Sequence, residues 1–204
     1  MVHRRDAAAT REAILRAGVE AFTRSGYDGV GVREIAASAG VTAMLVNRYF
    51  GSKEGLFAEV VDVSVAERTV LGSDPRTLAR DIASALVRRT APEADTLDPF
   101  LLALRSAANP RAAEILRAGI EKHVEKHAVE VSRAPRPNVA IALALINGFW
   151  LMRKVIGSTA LNEADEPTLA ETLEQLFQIL LDTPRVPLSA VGALAGRREL
   201  GKTR

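Results

Sequence analysis

The chain of 204 residues has no cysteine, which excludes a disulfide scaffold, a thiolate metal site and a cysteine nucleophile together. Aromatic residues make up only 4%, and the apolar 48% is mostly Ala, Leu, Val and Ile. Such a core favours helices, since Ala and Leu are strong helix formers. There is no glycine-rich phosphate loop, no recognisable Ser–His–acid grouping and only three histidines, so an enzyme lacks its constellation. The uncharged stretch Asn138 to Met152 is fifteen residues, closes at Arg153 and includes Asn147 and Gly148. That falls short of the ~20 residues a bilayer demands. Met1 to Asp6 is basic with no apolar stretch behind it, unlike a secretory signal. A cytoplasmic protein without a membrane partner is expected.

What the chain does have is enough apolar material, beside 25% charged residues, for one large domain or two small ones. The net charge of +2 is unevenly spread. Residues 1–60 carry eight basic and seven acidic side chains, residues 61–183 fourteen and seventeen, and residues 184–204 five and one. Local positive charge therefore gathers at Arg4 and Arg5, and from Gly40 to Lys53, where Arg48 and Lys53 stand with no acid. A nucleic-acid binder of nearly balanced charge needs such concentrations.

Strand-like alternation does not persist, whereas helix punctuation recurs, and an all-α chain of about nine helices is predicted. Helix one is expected from about Thr10 to Ser25, with Ile14, Ala17, Ala21 and Phe22 inward and Gly26 as its stop. Val32 to Ala39 forms a short second helix ended by Gly40. Thr42 caps a third to Tyr49, with Val41 and Val46 as its staple. Ser52 caps the fourth, which carries Leu56, Phe57, Val60 and Val61. Asp74-Pro75, Asp98-Pro99 and Asn109-Pro110 each place a cap before a proline, starting helices five, six and seven. Helix eight, about Asn138 to Gly157, is apolar nearly all round; helix nine, Pro167 to Asp182, has a Leu/Phe stripe. The tail beyond Pro184 is basic and rich in Pro, Gly, Ser and Ala, and is expected to be mobile.

Helix two, the break at Ala39-Gly40-Val41 and the helix after Thr42 read as a helix-turn-helix. Its eight residues Thr42 to Tyr49 span about 12 Å at ~1.5 Å each, enough to lie in one major groove. Lys53 sits in the first turn of its helix, where the dipole disfavours a cation and a bound phosphate would explain it. Arg4, Arg5 and Arg11 form either a groove-reaching arm or ordinary solubilising charge. Tyr49 could serve the core or the DNA, and Phe50 suits the core better.

Ala13 to Val60 resembles the N-terminal domain of the tetracycline-repressor (TetR) family of bacterial transcriptional regulators. The series Ala17…Ala21-Phe22…Gly26-Tyr27, Val32-Arg33-Glu34-Ile35-Ala36…Ala39-Gly40-Val41-Thr42 and Tyr49-Phe50-Gly51-Ser52-Lys53-Glu54-Gly55-Leu56-Phe57 carries the likeness. The resemblance implies a homodimer whose third helices enter successive major grooves of a near-palindromic double-stranded DNA operator. Thr42 would touch a phosphate or base edge, Ala43 and Met44 would face bases, and Tyr49 and Lys53 would hold the backbone. Gly31 and Arg33, at the start of helix two, complete the expected DNA contacts. Asn47 and Gly31 depart from the family, which commonly has Tyr and Thr or Ser there. Asn47 could instead read adenine, and Arg48 guanine or a phosphate. Met44 and Leu45 make this helix unusually apolar, which suggests either contact with thymine methyls or packing against helix one.

Residues 1–50 are thus read as a DNA-binding domain, 51–183 as an effector-binding and dimerisation domain, and 184–204 as the tail. In the family the last two helices usually build a four-helix bundle with a partner. Ala142, Leu145, Phe149, Leu173, Leu176, Phe177 and Leu180 are the expected dimer residues. A cavity between helices four to eight would take a small apolar or aromatic effector. Its candidates are Ser64, Arg68, Arg105, Asn147 and Trp150, walled by Ile82, Leu86, Phe100, Leu104 and Ile120. Arg153 is either a buried ion-pair partner, the favoured reading, or an anchor for an acidic ligand. His123 and His127, with Glu130 a turn on, have metal-ligand spacing but lie among Glu121, Lys122, Glu125 and Lys126, as a solvated face would. Neither a metal nor a cofactor is expected. The leading reading is a ligand-responsive repressor; the others are an interaction module that has kept the fold without reading DNA, and an enzyme.

Overall fold

The computed structural model describes residues 2–66, 74–94 and 99–181, and side chains from residue 7 onward. Arg4 and Arg5 as side chains, Arg68 and the basic tail lie outside the described residues. Every regular element among the described residues is helical. In chain order these are α1 (Val2–Ser25), α2 (Val32–Ser38), α3 (Ala43–Phe50), α4 (Lys53–Ala66), α5 (Leu78–Thr90), α6 (Pro99–Ser106) and α7 (Pro110–Ile120). A π turn over Glu121–Glu125 joins α7 to α8 (Lys126–Ser132), and another over Leu151–Val155 extends α9 (Arg136–Trp150). A one-turn α10 (Thr159–Asn162) precedes α11 (Glu166–Leu181).

All nine expected helices are present, with α7, its π turn and α8 as the seventh. Two starts differ by several residues, and one element is additional. Helix one begins at Val2 rather than Thr10, so the segment bearing Arg4 and Arg5 is helical. Helix five begins at Leu78 because Asp74 turns the chain: its Oδ1 accepts from the Arg76 N–H at 2.9 Å and its carboxylate pairs with the Arg76 guanidinium. The short α10 has no counterpart in the sequence reading.

The chain divides into two compact units that are interleaved in sequence, Met1–Val70 with Glu93–His127, and Leu71–Pro92 with Ala128–Arg204. In the first, Ile14 and Phe22 of α1, Ile35 of α2, Val46 and Phe50 of α3, and Leu56, Phe57, Val60 and Val61 of α4 share one core with Leu102, Ala112 and Leu116 of α6 and α7. That core runs straight through residue 50, the expected domain boundary. Phe57 stands edge-on to both Phe22 and Tyr27 at 5.0 and 4.9 Å, so much of the chain's scarce aromatic material is concentrated here. Helix α7 comes so close to α4 that a Cβ on Gly119 would lie 2.5 Å from Cγ1 of Val61.

In the second unit α11 packs chiefly on α5 and also on α9. Leu78, Ala83, Leu86 and Val87 of α5 are buried with Val139, Ala142 and Trp150 of α9 and Leu173, Phe177 and Leu181 of α11. The Asn138 amide donates to the Leu180 carbonyl at 3.0 Å, tying the start of α9 to the end of α11. Arg153, only 3% exposed, is the buried charge of this unit among the described residues. Its guanidinium donates to the Val87 carbonyl at 2.8 Å and to Thr90 Oγ1 at 3.2 Å, and pairs with Glu166 at 3.0 Å. The ion-pair reading of Arg153 holds.

Candidate nucleic-acid interface

The turn between α2 and α3 is built by backbone chemistry legible in the sequence. Gly40 adopts φ +70°, a conformation that costs a residue with a Cβ about 1–2 kcal/mol. The N–H of Val41 then donates to the Ala36 carbonyl at 2.9 Å and that of Gly40 to Ala37 at 3.0 Å. These two bonds close α2 with a Schellman motif. A Cβ on Gly40 would meet nothing within 4 Å, so the requirement there is conformational rather than steric. Thr42 follows with extended φ and ψ in the N-cap position, and its carbonyl accepts from the Leu45 N–H at 3.0 Å. Its hydroxyl makes no capping hydrogen bond, contrary to expectation. Thr42 is exposed, and the N-terminal end of α3 is left without a side-chain cap, the arrangement that suits an incoming phosphate.

Helix α3 sorts its residues cleanly. Val46 and Phe50 are buried, Ala43, Leu45 and Tyr49 are half-buried on the core, and Met44, Asn47 and Arg48 face solvent with Thr42. Gly31, at the N-cap of α2, and Arg33 are exposed as well. The residues expected to touch DNA at α3 and at the start of α2 thus sit on exposed surface, with Ala43 and Tyr49 at its margin.

The start of α4 is fixed from two directions. Ser52 Oγ accepts from the Gly55 N–H at 3.1 Å, as a capping serine should. A Cβ at Gly55 would fall 2.0 Å from the Phe50 carbonyl oxygen, so the close return of α4 onto the end of α3 needs glycine. Lys53 Nζ lies 4.5 Å from the centroid of the Tyr27 ring, a cation–π contact that holds the ammonium beside the first turn of α4. Burial, followed by the Glu54 and Asp28 carboxylates, raises the pKa of the Tyr27 phenol above its ordinary value.

Arg11 takes a different part from the expected one. It pairs with Glu59 of α4, and its guanidinium lies over the Phe50 ring at 4.9 Å. It clamps α1 to α3 and α4 instead of reaching outward.

A set of polar ties that the sequence reading missed secures this unit further. The Arg105 guanidinium donates to the Thr23 carbonyl, and Ser106 Oγ accepts from the Tyr27 N–H at 3.0 Å. Asn109 donates to Asp28, and Arg111 donates to Glu54 at 3.1 Å. Together they fasten the α6–α7 corner to the end of α1 and the start of α4. Only the Asn109-Pro110 cap was visible locally.

The expected effector residues fall in both units. In the first, Ser64, Phe100 and Ile120 are half-buried, Leu104 is largely exposed, and Arg105 is engaged with Thr23. In the second, Leu86 and Trp150 are buried, Ile82 is half-buried, and the exposed Asn147 donates to the Leu143 carbonyl of its own helix at 2.7 Å. Of the expected dimer residues, Ala142, Leu173 and Phe177 are buried within the second unit, so their side chains are already used by this chain's own core. Leu145, Phe149 and Leu180 are half-buried and Leu176 is exposed. Beside Leu176, the exposed large apolar side chains of this unit among the described residues are Ile141, Met152, Val155, Ile156 and Ile179. Arg136–Val155 is long and apolar enough to cross a membrane by length and composition, more so than its uncharged run suggested. His123 is directed to Asp62, Nε2 to Oδ1 at 2.8 Å, beside Lys122. Among the described residues no cluster of three or more His, Asp or Glu side chains is arranged to hold a metal ion.

The chain matches the family model described as bacterial regulatory proteins, tetR family, over residues 14–60. It matches a second, described as tetracyclin repressor-like C-terminal domain, over residues 77–181. The HTH-type transcriptional regulatory protein RaaS of Mycobacterium tuberculosis is 54% identical over 54 residues, 26% of this chain and 24% of that protein. The regulator BetI of Agrobacterium fabrum is 35% identical over 82 residues, 40% of this chain and 35% of its own length. This chain therefore spans only about a quarter to a third of those two relatives. Among solved structures, NalD of Pseudomonas aeruginosa, the secondary repressor of the MexAB-OprM multidrug efflux pump, is 26% identical with a TM-score of 0.59, covering 90% of this chain and all of that one. The multidrug binding protein EbrR, solved with proflavin, shares the fold at 20% identity and a TM-score of 0.57, over 82% of this chain and 99% of its own.

Proposed function

The chain belongs to the tetR family of bacterial regulatory proteins, and from that membership we propose that it is a ligand-responsive repressor acting as a homodimer on a near-palindromic operator. The observation that carries this reading is the exposed face of α3, where Thr42, Met44, Asn47 and Arg48 point away from a core that holds Val46 and Phe50. Asn47 offers the amide geometry that pairs with adenine, and Arg48 the fork that pairs with guanine or a phosphate. Lys53, Gly31 and Arg33 flank that face and hold the DNA backbone, while Tyr49 braces the end of α3. Arg4 and Arg5 add positive charge at the start of α1.

The dimer forms through α9 and α11. Ile141, Leu145, Gly148 and Met152 follow one another at helical spacing on the outward side of α9 and its π turn, and Leu176 and Ile179 do so on α11. The open space around Gly148 lets a second backbone approach closely. Two copies place two α3 helices on half-sites about 34–36 Å apart, or a multiple of that. A small apolar or aromatic effector favours a conformer with a different separation and so releases the DNA. The setting is the bacterial cytoplasm.

Selection of bound duplexes from fragmented genomic DNA at moderate salt, run beside an Asn47→Ala/Arg48→Ala double variant, tests this reading. A near-palindrome recovered by the native chain alone supports it. Equal, sequence-free recovery by both proteins overturns it in favour of an interaction module that has kept the fold.

A further inference from the structure

Met44 is 79% exposed, the most exposed of the large apolar side chains among the described residues. Its neighbour Leu45 is packed on the core, as are Ala43, Val46 and Phe50. Packing on the core therefore accounts for Leu45 and leaves Met44 unexplained. A single exposed apolar residue is ordinary on a general surface. This one stands in the first turn of α3, with Thr42 before it and Asn47 and Arg48 three and four positions on, where helix geometry makes them its neighbours. Arg48 is the only charge of that group. The rest of it is apolar or neutral, a surface suited to base edges.

The major groove of B-DNA displays one apolar group, the C5 methyl of thymine. We propose that Met44 reads that methyl, one per half-site. The inference rests on the operator-reading function proposed above and adds the chemical feature that α3 selects. An unbranched thioether has the rotational freedom to lie along a methyl without demanding one rigid geometry. Three residues of helix rise about 4.5 Å, so the thymine lies within about one to two base pairs of the base under Asn47.

The test replaces each thymine of the selected operator in turn by deoxyuridine, which removes only the methyl. With the native chain, one position per half-site loses about four-fold in affinity, the worth of one buried methyl, and about fifteen-fold when both half-sites are replaced. Met44→Ala binds the thymine operator correspondingly more weakly and is indifferent to the replacement, while Met44→Leu stays sensitive. Its exposure lets both variants fold, which thermal melting checks. An operator bound through Asn47 and Arg48 with every uracil silent, or a Met44→Ala chain as sensitive as the native one, overturns this inference and leaves the regulator standing. Failure to select any near-palindrome overturns both.

Discussion

The Asn109 side-chain amide donates to the Asp28 carboxylate at 2.9 Å while its own carbonyl caps α7, accepting from the N–H groups of Arg111 and Ala112 at 3.0 and 3.1 Å. One residue thus starts a helix and fixes the loop that leads into α2. Asn109→Ala removes both roles and is expected to lower unfolding stability by about 1–2 kcal/mol in urea titration. Asn109→Asp keeps the cap acceptor but loses the donor and sets a second carboxylate against Asp28, so it should stay less stable than the native chain, by a margin that added salt narrows.

Gly119 and Val61 set how near α7 comes to α4. Alanine is the better helix former by about 1 kcal/mol, yet its methyl would meet buried Val61. We expect Gly119→Ala to be destabilising overall by about 1–2 kcal/mol. The double variant Gly119→Ala/Val61→Ala should be less destabilised than the sum of the two singles, a coupling that a double-mutant cycle in denaturant measures.

Asp62 accepts from Lys122 at 3.0 Å and lies 2.8 Å from His123. Desolvation raises its pKa, but the hydrogen bonds from Lys122 and His123 outweigh that and hold it below the ordinary carboxylate value of 3.8. A depressed pKa contributes stability that is fully present above the unfolded value and is lost as pH falls through the folded one. The difference in melting temperature between the native chain and Asp62→Asn should therefore shrink as pH falls below the ordinary carboxylate value and vanish in strong acid. A difference that instead grows as pH falls below 3.8 would contradict the assigned direction.

Arg153 is held by Val87, Thr90 and Glu166, yet its buried Nε makes no hydrogen bond. Arg153→Ala leaves a cavity and unpaired acceptors, and is expected to cost about 3 kcal/mol in chemical denaturation. Glu166→Gln should cost about 1 kcal/mol, since the Glu166 side chain is half-exposed and water can replace part of the pair. Arg153→Lys should rescue little, because an ammonium cannot reach a carbonyl, a hydroxyl and a carboxylate in the guanidinium's fork.

Ile141 is 55% exposed within one chain, so Ile141→Glu should leave the melting of an isolated chain nearly unchanged. On the dimer proposed here it puts a carboxylate into an apolar seam, and sedimentation should show the dimer dissociating at least ten-fold more readily. An unchanged dimer would move the interface elsewhere on the chain.

The helices and the helix-turn-helix order were legible in the sequence because the devices that make them are local. Gly40 ends α2 through its own φ, Ser52 caps α4 with its own hydroxyl, and Asn109-Pro110 starts α7 within three residues. The family series from Ala17 to Phe57 is of the same kind, since most of its members hold one another within fewer than fifty residues. The outward side of an all-round apolar helix is another matter. Periodicity cannot choose between Ala142 and Ile141 when both are apolar, and only the packing of α9 within its unit buried one and exposed the other. Arg11 reads as free charge until Phe50 and Glu59 are brought beneath it, and Asn109 meets Asp28 across 81 positions of chain. Met44 and Leu45 look alike in the sequence, and the packing of α3 separated them. Local backbone chemistry thus fixes which elements form. Which side chain meets water depends on neighbours far along the chain, which only the folded structure supplies.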